Sequence, residues 1–162
     1  MEDEFLYELA ARLGERLIKK QMRCVVAESC TGGLLSSIIT AIPGCSQWFE
    51  RGFVTYSNES KQELLGVSKE ILKSHGAVSE ATVRAMVSGA LHNSHADISV
   101  AITGIAGPGG ASKDKPLGTV WIAWAGTQQS IKVHCYHFTG DRIAVRNQAV
   151  AKSLDGLLKM VA

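Results

Sequence analysis

Ser29 stands in the stretch Ala27-Glu28-Ser29-Cys30-Thr31-Gly32-Gly33, between a short apolar run and an amphipathic one. A serine at such a strand-to-helix turn can hold its hydroxyl clear of the sheet. The N–H groups that open the next helix would then face what it attacks, as oxyanion donors or an anion cradle. Capping of that helix by Ser29 or Thr31 is the commoner use of these residue types. Cys30 is the rival nucleophile, but a reactive thiol needs an accessible, electropositive setting. As the neighbour of Ser29 it points elsewhere, which suits a small buried residue. The surrounding spacing is not the G-x-S-x-G elbow of another hydrolase class.

Three further segments carry chemistry. Lys61 falls in the first turn of a helix capped near Ser57, where the helix dipole and partial burial both disfavour a charged amine. A neutral lysine can take a proton from a serine hydroxyl. A solvated lysine is the plainer alternative. Tyr56, five residues earlier, can donate to a reacting amide, hold Lys61, or simply present a wet aromatic tip. The segment from Gly104 to Gly118 is rich in glycine, with Gly107, Gly109 and Gly110. It lacks both the Walker order and G-x-G-x-x-G, yet such a loop admits close backbone approach and can cradle phosphate. Its length is unusual for a mere connection. Arg142 and Arg146, four apart, share a helix face near an N-terminus, where an anionic ligand would suit them better than the dipole does.

These segments need elements to position them. Apolar spacing predicts helices over 4–20, 34–42, 57–66, 68–76, 79–94 and 141–161. Short β-branched or aromatic runs predict strands over 23–28, 48–56, 96–104, 119–126 and 130–138, the last two as a hairpin. Ser79 is expected to cap a helix, and Gly66 and Pro43-Gly44 to stop two others. Strands alternating with helices imply an α/β chain with its first three strands parallel. If the fourth strand runs back, the fifth returns to the same edge. Ser29, Tyr56, Gly104 and the segment around Arg142 then meet at the carboxyl edge of the sheet, where open α/β sheets bind ligands.

The bulk properties narrow the class. The chain is 46% apolar and 20% charged, with a net charge of +2. That charge argues against nucleic acid or an anionic membrane as partner. No apolar segment is long enough to span a bilayer. The acidic start, Met1-Glu2-Asp3-Glu4, does not resemble a signal peptide, so a cytoplasmic location is expected. Cys24, Cys30, Cys45 and Cys135 form no C-x-x-C pair. The histidines show no metal spacing, and His134 and His137 fall on opposite faces of a strand. No metal is expected, and one domain is expected over 1–162.

The stretches AESCTGG, WFERGFVTYSNESKQELLGV, HGAVSE, ITGIAGPGGASKDKPLGTVW and GDRIAVR together resemble the CinA C-terminal domain family, the nicotinamide mononucleotide deamidases. They occur in family order over roughly residues 24–150. The resemblance implies a three-layer α/β/α sandwich with a mixed, mostly parallel sheet. It implies hydrolysis of nicotinamide mononucleotide to nicotinate mononucleotide and ammonia, a step of pyridine nucleotide recycling, with no cofactor. It assigns Ser29, Lys61 and Tyr56 to catalysis. Substrate contact falls to the turn at Cys30, Thr31 and Gly32 and to the loop residues Thr103, Gly104, Ile105, Ala106, Gly107, Gly109 and Gly110. Arg142, with Arg146 as a second candidate, takes the phosphate. A homo-oligomer is implied, a dimer favoured. Longer members carry an N-terminal nucleotide-hydrolysing domain, and that activity is expected to be absent here. A non-catalytic pyridine-nucleotide-binding paralogue and a serine hydrolase for another amide or ester are the alternative functions.

Overall fold

The computed structural model describes residues 2–162. Five strands form one sheet in the order β2-β1-β3-β4-β5, with β1 at Cys24–Glu28, β2 at Phe49–Val54, β3 at Ile98–Gly104, β4 at Thr119–Gly126 and β5 at Gln129–His137. β1 pairs in parallel with both β2 and β3, while β4 runs antiparallel to β3 and to β5. Only β4 opposes the rest, so β1, β2, β3 and β5 all end at one edge, as the strand and helix order anticipates.

Helices cover both faces. α1 (Glu2–Lys20), α2 (Leu34–Thr40) and α6 (Arg142–Met160) lie on one, and α3 (Asn58–Leu65), α4 (Lys69–His75) and α5 (Glu80–His92) on the other. Alternation along the strands divides the core. Val26, Ile98, Val100, Ile102, Val120, Ile122 and Trp124 meet α1, α2 and α6. The opposite face offers Val25, Ala27, Ala101, Ala123 and Ala125 to the α5 layer. Those alanines let α5 sit close to the sheet. Gly89 of α5 continues the arrangement outward, because a Cβ there would collide with the Leu65 carbonyl at the end of α3. The bare glycine therefore sets how closely the helix bearing Lys61 approaches.

Several boundaries differ from expectation. β2 stops at Val54, leaving Thr55 and Tyr56 in the connector to α3 rather than in the strand. A 3-10 turn at Cys45–Gln47 precedes it, and Trp48 falls before the strand, its side chain buried and its carbonyl accepting from Cys24 N–H at 2.8 Å. α2 ends at Thr40, two residues short of Ile42. The caps at Ser57, Ser79 and Gly66 are as expected. Among the described residues, no helix is long and apolar enough to cross a membrane.

Candidate active site

β1 is buried throughout and delivers the chain to the carboxyl edge at Glu28. Ser29 N–H still reaches Ile102 of β3, at 3.0 Å, and Gly32 N–H turns back to the Ser29 carbonyl, also at 3.0 Å. Ser29 is thus pinned to the sheet while the chain reverses through Gly32 and Gly33, both at positive φ. Neither Ser29 nor Thr31 caps α2. Gly33 stands at the N-cap and offers no side chain. Glu28 supplies the cap from the strand: its Oε1 accepts from Leu35 N–H at 2.9 Å, and its Oε2 from Ser36 N–H at 3.0 Å and Ser36 Oγ at 2.7 Å. This corrects the expectation that the opening N–H groups of α2 face the attacked atom, since Glu28 occupies two of them. Among the described residues, no carbonyl accepts from the N–H groups of Cys30 or Thr31, which come earlier in the turn.

Lys61 comes from the other side. Ser57 accepts from Ser60 N–H at 3.1 Å and starts α3, and side chains on a helix lean toward its N-terminus. Lys61 follows that lean. It is 1% exposed, and its Nζ lies 2.9 Å from Ser29 Oγ, 2.7 Å from the Thr55 carbonyl and 3.1 Å from the Tyr56 carbonyl. An ammonium has three protons for those three acceptors. A neutral amine has two protons and a lone pair. With the two carbonyls taking its protons, the lone pair is left for the Ser29 hydroxyl. Burial pushes the amine down to about 8, opposed by the charge that Cys30 would carry as thiolate. The two carbonyls favour the protonated form, so burial rather than the helix end is what makes the neutral amine accessible.

Cys30 is 6% exposed, and burial pushes its thiol up to about 12, far from a thiolate at neutral pH. The amine contact therefore falls to Ser29 and not to Cys30.

The cavity over this pair is about 240 Å³. Of the residues singled out from sequence, Ser29, Cys30, Tyr56, Lys61, Thr103, Gly104, Ile105, Ala106, Gly107, Gly109, Gly110 and Arg142 line it. Ile105 is fastened on both sides, its N–H donating to Thr119 and its carbonyl accepting from Gly118. Arg142 donates to the Gly107 carbonyl at 2.7 Å and to the Tyr56 hydroxyl at 3.2 Å, joining three segments at the cavity wall. Tyr56 itself is 61% exposed, with its ring at the rim.

Thr31, Gly32 and Arg146 do not line the cavity. Arg146 turns to the Thr31 carbonyl at 2.8 Å and braces the Ser29 turn from behind. Two wall residues, Ala77 and Val78, lie in the family-like stretch HGAVSE but carry no chemical signal of their own. Their segment is fixed by Thr103 Oγ1, which donates to the Ala77 carbonyl at 2.8 Å, and by Ser79 and Thr82, which donate to the Gly76 carbonyl. Thr55 carries no signal in the sequence because it acts through its carbonyl. Glu28 had one available signal: it is the charged residue in an otherwise apolar strand.

The sequence matches the CinA C-terminal domain over residues 6–161. The chain belongs to the CinA C-terminal domain family. It is 49% identical over 159 residues to a protein of Enterobacter agglomerans named nicotinamide-nucleotide amidohydrolase PncC, covering 98% of this chain and 97% of that one. It is 49% identical to the Escherichia coli K12 protein of the same name, over 97% of this chain and 95% of that one. The crystal structure of the competence/damage inducible protein CihA from Agrobacterium tumefaciens superposes with a TM-score of 0.96 at 39% identity, covering 98% of this chain and 96% of that one. The CinA fold of this chain is thus the three-layer α/β sandwich described above.

A second cavity of about 220 Å³ lies between β5 and α6, lined by residues that include Trp124, Lys132, His134, Tyr136, Lys152 and Asp155. Among the described residues, no serine or cysteine lines it. Among the described residues, no group of three or more His, Cys, Asp and Glu side chains is placed to hold a metal ion.

Proposed function

We propose that this CinA domain is an amidohydrolase that converts nicotinamide mononucleotide and water to nicotinate mononucleotide and ammonia. The observation that carries the reading is the buried contact of Lys61 Nζ with Ser29 Oγ at 2.9 Å on the cavity wall. The names of the PncC relatives supply the substrate.

In the proposed reaction neutral Lys61 takes the Ser29 proton as Oγ attacks the carboxamide carbon. The oxyanion forms against the N–H groups of Cys30 and Thr31. Lys61, now an ammonium, gives its proton to the departing nitrogen, and the C–N bond breaks to release ammonia. Water then attacks the nicotinoyl ester, passing a proton to Lys61. Collapse returns that proton to Ser29 and frees the carboxylate. Tyr56 stands at the rim, accepting from Arg142, so its own proton is free for the substrate. Arg142 and the glycine-rich loop bind the phosphate, because arginine offers a planar donor fork and the loop offers backbone N–H groups. Ala77 and Val78 give the ring an apolar wall.

Ammonia release from nicotinamide mononucleotide, nicotinamide riboside and nicotinamide tests this reading. Turnover of the mononucleotide with strong loss on the riboside is expected. Binding without ammonia would establish a non-catalytic module. Equal rates on all three would point to a general serine amidase and remove the phosphate role of Arg142. A homodimer in the cytoplasm is part of the same proposal, and light scattering tests the dimer.

A further inference from the structure

Glu28 immediately precedes the nucleophile and is wholly buried. A carboxylate withdrawn from water is costly unless donors replace its hydration. Among the described residues Glu28 forms no ion pair, and its donors are Leu35 N–H, Ser36 N–H and Ser36 Oγ. All three belong to the opening of α2, whose own N-cap is a glycine. The carboxylate therefore ties the end of β1 to the start of α2. The intervening turn, Ser29 to Gly33, is closed into a ring. Inside that ring the Ser29 carbonyl accepts from Gly32 N–H, while the N–H groups of Cys30 and Thr31 stay outside the helix's own hydrogen bonding.

We propose that Glu28 is a positioning residue for the amidase reaction: by clamping α2 to β1 it fixes Ser29 Oγ against Lys61 Nζ and orients the turn's N–H groups. The proposal rests on the amidase reading for its reaction, but not for its test. Ser29 can be titrated with a fluorophosphonate, which forms a bond from Oγ to phosphorus and expels fluoride whatever the natural substrate is.

Glu28→Gln keeps the shape and removes the charge. Its amide nitrogen would face N–H and O–H donors, so the clamp loosens. The expected result is full labelling of Ser29 at a rate lower by roughly ten- to a hundredfold, with kcat for ammonia release falling in parallel and KM nearly unchanged. Full stoichiometry at a reduced rate separates misplacement from a population of unfolded chains. Ser36→Ala removes one donor and keeps the charge, and is expected to slow labelling by roughly two- to fivefold. Labelling of Glu28→Gln at the wild-type rate, whether complete or partial, would overturn the proposal. If Glu28→Gln does not fold, Ser36→Ala decides the matter: slowed, complete labelling supports the clamp, and a wild-type rate overturns it. Slowed labelling without any ammonia release from wild type would retain the clamp and reject the substrate.

Discussion

Two cavities of this molecule, one at the sheet's carboxyl edge and one between β5 and α6, are nearly equal in volume and opposite in construction. At the sheet's carboxyl edge, about 240 Å³ lies over a lysine with no carboxylate partner among the described residues, sealed from water and pressed on a serine. Between β5 and α6, about 220 Å³ carries more cations, but they behave as surface groups. Lys159 is paired with Asp155 at 2.9 Å, and Lys152 stands 5.9 Å over the Tyr136 ring. Cavity size and charge do not distinguish the two. What does is desolvation of a titratable group against a serine hydroxyl, which changes its protonation chemistry.

Substitutions at the two cavities can break that contrast. Ser29→Ala is expected to cut ammonia release from nicotinamide mononucleotide by roughly a thousandfold or more. Calorimetry should still show it binding nicotinate mononucleotide, since the loop and Arg142 are untouched. Retention of a tenth of the activity, as an order of magnitude, would remove Ser29 from the reaction. Arg142→Ala comes next, with kcat/KM lower by roughly ten- to a hundredfold on the mononucleotide and much less on the riboside. An equal loss on both would mean that Arg142 serves only to join Gly107 and Tyr56. At the β5 and α6 cavity, Lys132→Ala and Lys152→Ala should each leave steady-state kinetics within about twofold of wild type, as surface changes usually do. A larger loss there would abolish the distinction between the cavities.

Much of the carboxyl-edge site was legible because it follows from topology. Periodicity gave the strands, their alternation with helices gave the parallel run, and the hairpin returned the chain to Arg142 on the same edge. Ser57 and Gly66 announce the helix carrying Lys61. The cap of α2 was not legible, because Glu28 reaches donors seven and eight residues ahead across a turn, outside any local capping pattern. Nor was the split between Arg142 and Arg146. Four residues put them on one face, but a turn of helix separates them along the axis. One therefore reaches the cavity and the other the back of the Ser29 turn. The carbonyls of Thr55 and Tyr56 depend on where β2 stops, and Ala77 and Val78 are ordinary apolar residues until the fold places them on a wall.

The central claim is that buried Lys61 serves as the base for Ser29, and the pH dependence of kcat/KM tests it most directly. Only the neutral amine accepts the proton. Activity should therefore rise about tenfold per pH unit below the midpoint and level off above it. Burial places that midpoint at about 8. Lys61→Met should lose roughly a hundredfold or more in activity and lose this ascending limb from what remains. A wild-type profile that is flat through that range, or a limb that survives in Lys61→Met, would contradict the account.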